Sequence, residues 1–193
     1  FGGRLELTSH VAFQMFEGRG ELGIVTQAET LDRFANLRTD PNLFANASAM
    51  LEVVDHFALD QVSDTRRYEM LVGALKTLDS DPAPLVVPAF FLKLLTHEGL
   101  EPQLDRCTRC DSNGPLVSID YHEGGVLCER CRRGRAVSEG SVAVMRSILG
   151  GGLSMALAVK DEQVCAEVES ITHEAIEFHL ERRLRSRKVI DQT

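Results

Sequence analysis

No apolar run in the sequence approaches the roughly 20 residues that span a bilayer, and no succession of basic, apolar and small residues marks a secretory signal. These absences exclude a helical membrane span within the chain and set the expectation of a cytoplasmic protein with no membrane partner. Positive charge is not in excess either: 21 Lys and Arg face 29 Asp and Glu, a formal charge of -8. A uniformly basic coat is thereby excluded, and any contact with nucleic acid has to be a local patch. There is no phosphate-cradling glycine loop, no nucleophile elbow and no pair of carboxylates on an obvious cleft, so the motifs point to a binding protein and not an enzyme. Internal repeats and low-complexity segments are also missing. The sequence opens on Phe1-Gly2-Gly3-Arg4 without an initiator methionine, and the natural chain is expected to extend upstream.

What is present is the balance of a packed fold: 44% apolar and 26% charged over 193 residues, enough for one main domain with an appendage. Residues 4–16 and the run LGIVTQAETL, on either side of the turn-like Glu17-Gly18-Arg19-Gly20, read as a β-hairpin. Two strands alone bury too little to be stable, so the hairpin is expected to belong to a larger sheet. Asp40-Pro41 is a helix start, and Leu43, Phe44, Ala47, Met50, Leu51 and Val54 then recur at helical spacing, predicting a helix over about 41–60. Asp64 caps a second helix whose stripe is Tyr68, Leu71, Val72, Leu75 and Leu78. PLVVPAFFLKLLTHEGL is apolar nearly all round, which predicts the central helix of a bundle ending at Gly99. Ser138 caps a further helix that stops at Gly150-Gly151-Gly152, read as a loop, before a last helix over roughly 161–185.

The most specific signal is a pair of C-x-x-C units, Cys107/Cys110 and Cys128/Cys131, with 17 residues between them. Each places two thiolates on a tight turn, and the intervening SNGPLVSIDYHEGGVL is predicted to fold as a short hairpin that brings the pairs together, the shape of a zinc ribbon. Four thiolates close the coordination sphere of a zinc ion and leave no position for an activated water, so one structural zinc is expected. A redox pair is the competing reading, but neither pair sits in the βαβ unit that such chemistry uses. His122, between the pairs, is left out as a solvated loop residue. Cys165 is read as a small packed hydrophobe, and His173 and His179 as surface or packing residues.

Arg106, Arg109, Arg130, Arg132, Arg133 and Arg135 surround the cysteines and invite phosphate contact, yet six acidic residues of the same segment balance them. Near the C-terminus, Arg182, Arg183, Arg185, Arg187 and Lys188 give a local surplus of three over Glu181 and Asp191. That cluster is either a basic patch or a complement to the helix dipole.

FGGRLE, GIVTQAETLDRFANLR, LTHEGLEPQLDRCTRC and EGGVLCERC, in this order and spacing, make the chain similar to the RecO family along nearly its whole length. The resemblance implies an OB-fold followed by a helical domain with a zinc-binding insert. It also implies binding of single- and double-stranded DNA and annealing of complementary strands. Together with RecR, such proteins help to load RecA onto DNA coated by single-strand-binding protein, whose acidic, apolar C-terminal tail they engage. Residues 1–30 are then the C-terminal part of an OB-fold, and 31–193 a helical domain with the zinc ribbon at 104–136. The fold class expected is mainly α: a helical bundle with a small zinc-ribbon insert, preceded by a β-hairpin from a partial OB-fold. Arg4, Arg19 and Arg38 are the basic candidates on the OB side, and Arg130, Arg132 and Arg133 those on the insert. The rival reading is a zinc-ribbon protein-interaction module without DNA activity, with a metal-dependent enzyme third. The expected setting is the bacterial cytoplasm, in association with the nucleoid.

Overall fold

The computed structural model describes residues 6–16, 23–58, 62–181 and 184. Arg4, Arg19, the hairpin turn and the basic residues at 182, 183, 185, 187 and 188 lie outside the described residues. The fold is mainly α: seven helices and two small sheets among the described residues.

Strands β1 (His10–Phe16) and β2 (Ile24–Asp32) pair antiparallel, with Phe13 opposite Ala28 and Phe16 opposite Ile24. This ribbon is a side arm. Among the described residues it meets the helices through few polar ties, His10 Nε2 to the Tyr68 hydroxyl at 2.5 Å and an ion pair between Glu6 and Arg38. Phe13, Met15, Phe16, Ile24 and Leu31 are left exposed along it, as is Leu7 just before β1.

Phe34 anchors the passage into the helices. It adopts φ 43°, is 2% exposed, and precedes α1 (Ala35–Thr39). Helix α2 (Pro41–Phe57) starts where Asp40 accepts the N–H of Asn42 and Leu43, and α3 (Thr65–Ser80) where Asp64 accepts that of Arg67. Helix α4 (Val86–His97) buries nine of its twelve residues, which is why its sequence is apolar all round. Phe90, Phe91, Leu94 and Leu95 fill a first core with α1, α2, α3 and the end of the last helix. Leu85, Ala89 and Leu92 face a second core on the other side.

That second core is built by α5 (Glu139–Leu149), α6 (Leu153–Leu157) and α7 (Glu162–His179) with residues of a three-stranded sheet. The sheet comprises β3 (Leu116–Asp120), β4 (Gly125–Cys128) and β5 (Arg135–Ala136) in the order β4-β3-β5. Cys165 is 5% exposed in this core, and His173, 9% exposed, stands edge-on to Phe91 at 5.1 Å. No helix among the described residues is long and apolar enough to cross a membrane.

Three expectations need correction. The triple glycine is the expected loop between two helices, with Gly151 at φ 91°, but the helix it leads into is the short α6, which was not foreseen, and not the last helix. The last helix ends at His179, short of 185, because Glu181 adopts φ 53° and turns the chain out of helical conformation. Helix α1 was not foreseen at all. Its first turn is satisfied from a distance, by the Asp79 carboxylate accepting the N–H groups of Asn36 at 2.9 Å and Leu37 at 3.0 Å. Asp79→Ala is expected to cost about 1 kcal/mol, the usual worth of a helix cap, read from the shift in the urea midpoint.

Candidate metal centre

Both C-x-x-C units sit on backbone turns tied to the small sheet. In the first, the Cys107 N–H donates to the Ser112 carbonyl at 3.0 Å and the Asp111 N–H to the Cys107 carbonyl at 2.9 Å, with Asp111 at φ 59°. The Thr108 N–H donates to the Val126 carbonyl at 3.0 Å, which holds this knuckle against β4. In the second, Cys128 is the last residue of β4 and a single 3-10 turn, Glu129–Cys131, brings Cys131 round beside it. The antiparallel pairing of β3 with β4 folds the intervening segment back, so the four sulfurs lie within 4.8 Å of one another.

The donor set fits a zinc ion. Sulfurs at 2.3 Å from a tetrahedral centre are separated by about 3.8 Å, and Cys110 Sγ to Cys128 Sγ is 3.6 Å. Charge agrees with geometry. Burial works against ionising Cys107, but backbone N–H groups of both knuckles and the Cys110 thiol bring it down to about 6. Cys128 is lowered chiefly by the Cys131 backbone N–H, against burial. Cys131 is pushed up to about 12, first by its bonding to Cys110 and then by burial. Four thiolates this close repel one another, and a divalent cation at their centre offsets that repulsion. With all four positions taken by sulfur, such an ion would hold the two knuckles together and have no site for substrate.

Most arginines of the insert are engaged. Arg106 pairs with Asp111 at 3.1 Å and Arg109 with Glu123 at 3.8 Å. Arg133 pairs with both Asp120 at 3.1 Å and Glu123 at 3.0 Å. Asp120 is 8% exposed and also receives the His122 and Glu123 N–H groups; burial opposes its ionisation, but these donors and Arg133 hold its carboxyl below the ordinary range. Arg135 bonds Ser170 at 2.8 Å and pairs with Glu174 on α7, where the Tyr121 hydroxyl also donates to the Ile171 carbonyl. Arg130 and Arg132, on either side of Cys131, are exposed and have no carboxylate partner among the described residues. Arg38, by contrast, is engaged by Glu6. His122 stays outside the sulfur cluster, its ring edge-on to Phe178 at 4.7 Å.

A model of the family described as Recombination protein O C terminal matches residues 38–188. The chain belongs to the RecO family. A DNA repair protein RecO from Frankia casuarinae is 35% identical over 192 residues, covering 96% of this chain and 78% of that protein. Those from Thermobifida fusca and Cutibacterium acnes are 32% and 30% identical over 199 and 202 residues, each covering the whole of this chain and 81% of the relative.

A second cluster was missed from the sequence of this RecO-family chain. His97 Nε2 meets Asp64 Oδ2 at 2.6 Å, and Arg67 bridges Glu98 at 2.8 Å and Asp64 at 3.3 Å, fastening the start of α3 to the end of α4. The His97 bond, followed by the Arg67 N–H, holds the Asp64 carboxyl below its ordinary range. Because Arg67 already supplies the positive charge, this is an ion-pair clasp. Asp64 was legible as a cap; its partners, far along the chain, left no local signal.

Proposed function

We propose that this chain acts as a DNA repair and recombination mediator. It binds and anneals single-stranded DNA and, with RecR, helps to load RecA onto DNA coated by single-strand-binding protein. Membership of the RecO family over nearly the full chain carries this reading. Annealing needs no covalent chemistry: a cationic surface holds two phosphate backbones close, screens their repulsion and lets base pairing proceed. In an acidic chain that surface has to be local, and Arg130 and Arg132 on the second knuckle, without a carboxylate partner among the described residues, support the insert as part of it. Arg133, tied to two carboxylates, is the weaker member of the trio.

One structural zinc on Cys107, Cys110, Cys128 and Cys131 makes residues 104–136 a zinc ribbon within a helical domain spanning 31–193. Residues 1–30 are read as the C-terminal part of an OB-fold, which the five exposed apolar side chains of the β1–β2 ribbon support, since a two-stranded ribbon needs further strands to be stable. Arg4, Arg19 and Arg38 belong to the DNA-facing side in this reading. For the tail of single-strand-binding protein, the supporting feature is an apolar cleft of about 290 Å³ between α3, α4 and α6. Phe90, Ala89 and Leu153 line it together with Lys93, the cation that an acidic tail requires, and with Glu69.

The test is strand annealing and oligonucleotide binding across a salt titration. Affinity is expected to fall steeply with salt, and Arg130→Ala/Arg132→Ala to weaken binding to all sequences alike while reducing the log-log salt slope by about 2, one for each phosphate that is no longer neutralised. Salt-independent binding, or none with a folded, zinc-loaded chain, would leave a protein-interaction module in its place.

A further inference from the structure

The four sulfurs of the centre are unequally shielded. Cys107 is 1% and Cys128 4% exposed, Cys131 is half-buried, and Cys110 is open to solvent. The Cys110 sulfur is also the one found 3.6 Å from that of Cys128, on the other knuckle. Hydroperoxides select thiolates by ionisation and access, and a sulfenate formed beside a second thiolate condenses with it to a disulfide. The fifth cysteine does not compete: Cys165 is 5% exposed and burial pushes its thiol up.

We propose that Cys110 is a peroxide-reactive modification site whose oxidation links it to Cys128 and releases the metal. The Cys110 sulfur attacks one peroxide oxygen, the O–O bond breaks, and the other oxygen leaves as an alcohol, or as water from hydrogen peroxide, after taking a proton from solvent. The Cys128 sulfur then attacks the sulfenic sulfur; an S–S bond forms and hydroxide leaves as water. The two sulfurs together lose two electrons and the peroxide gains two. Two of the four ligands are consumed, and Cys107 and Cys131 alone do not complete a zinc sphere.

The structural consequence is confined. Around the cysteines the apolar packing consists of Leu127 and the half-buried Leu116, so little besides the metal fixes the second knuckle. Beyond it the chain stays fastened, by Arg133 to Asp120 and Glu123, and by Gly134 at φ 71°, where a Cβ would stand 2.4 Å from the Ile119 carbonyl. Release therefore loosens residues 129–132, the segment that carries Arg130 and Arg132.

The experiment treats the zinc-loaded chain with hydrogen peroxide in the presence of a chromogenic chelator and maps the cross-link by peptide mass. One zinc per chain is expected to appear as the Cys110–Cys128 link forms, and reductant plus zinc to reverse it. Cys110→His keeps a fourth donor and is expected to hold zinc yet release it at least about tenfold more slowly, since the accessible thiolate is gone. The inference rests on the zinc reading above, and metal content before peroxide separates the two: a chain that takes up no zinc sinks both. A loaded chain that keeps its zinc in excess peroxide, a link that omits Cys110, or a Cys110→His variant as fast as the parent overturns the peroxide site alone. Should that variant fail to load, the link mapped in the unsubstituted chain decides.

Discussion

Cys107→Ser and Cys128→Ser are each expected to strip the purified chain of zinc, whereas Cys165→Ala retains the full complement. The first two remove a buried ligand from a set of four sulfurs held within 4.8 Å, and a serine hydroxyl neither ionises at neutral pH nor binds zinc as a thiolate does. With the ligand gone, the remaining sulfurs are left crowded around no cation, and the insert, whose packing there is Leu127 and Leu116, has nothing to close it. Metal analysis gives the direct readout, and hydrogen exchange at residues 107–131 the structural one. Binding is also expected to strengthen as pH rises. Cys131 holds its proton up to about 12 without a cation, so zinc has to displace that proton, and fewer protons in solution favour the exchange. Unchanged zinc content in the two serine variants would show that the ion sits elsewhere.

Phe91→Ala is expected to lower the free energy of unfolding by about 3–5 kcal/mol, a large share of the roughly 5–15 kcal/mol that holds a domain of this size. Phe91 is fully buried and lies on the central helix, with the His173 ring edge-on at 5.1 Å and Phe90 at 6.0 Å. Its removal opens a cavity between α4 and α7 that neither helix can fill without giving up its other packing, because both are also committed to the second core. Urea unfolding of the variant measures the loss. A cost below about 1 kcal/mol would mean that the site collapses freely, contrary to such double commitment.

The sequence was most informative where the physics is local. Asp40, Asp64 and Ser138 were readable as caps, and each accepts backbone N–H from the first turn of its helix. The all-round apolarity of α4 showed that it is buried on every side, and the two C-x-x-C units already contained the spacing that brings their sulfurs together. What escaped depends on residues distant along the chain. Helix α1, five residues long, is held by Asp79 and by the burial of Phe34 and Leu37. Helix α6 follows three glycines, a pattern that reads as a stop. The end of α7 is set by a glutamate in left-handed conformation, for which composition offers no cue. At the insert, six arginines looked alike; only the fold separates the four held by carboxylates from Arg130 and Arg132.

The first core contains Ala175, Ile176, Leu180 and Leu184 as well as side chains of α1 to α4. During synthesis, therefore, the front half of the chain leaves the ribosome with one side of its apolar interior uncovered and stays that way until α7 has been made. The cysteine hairpin closes over a short stretch of sequence and can form in the interval, while the helices before it wait for their last partner.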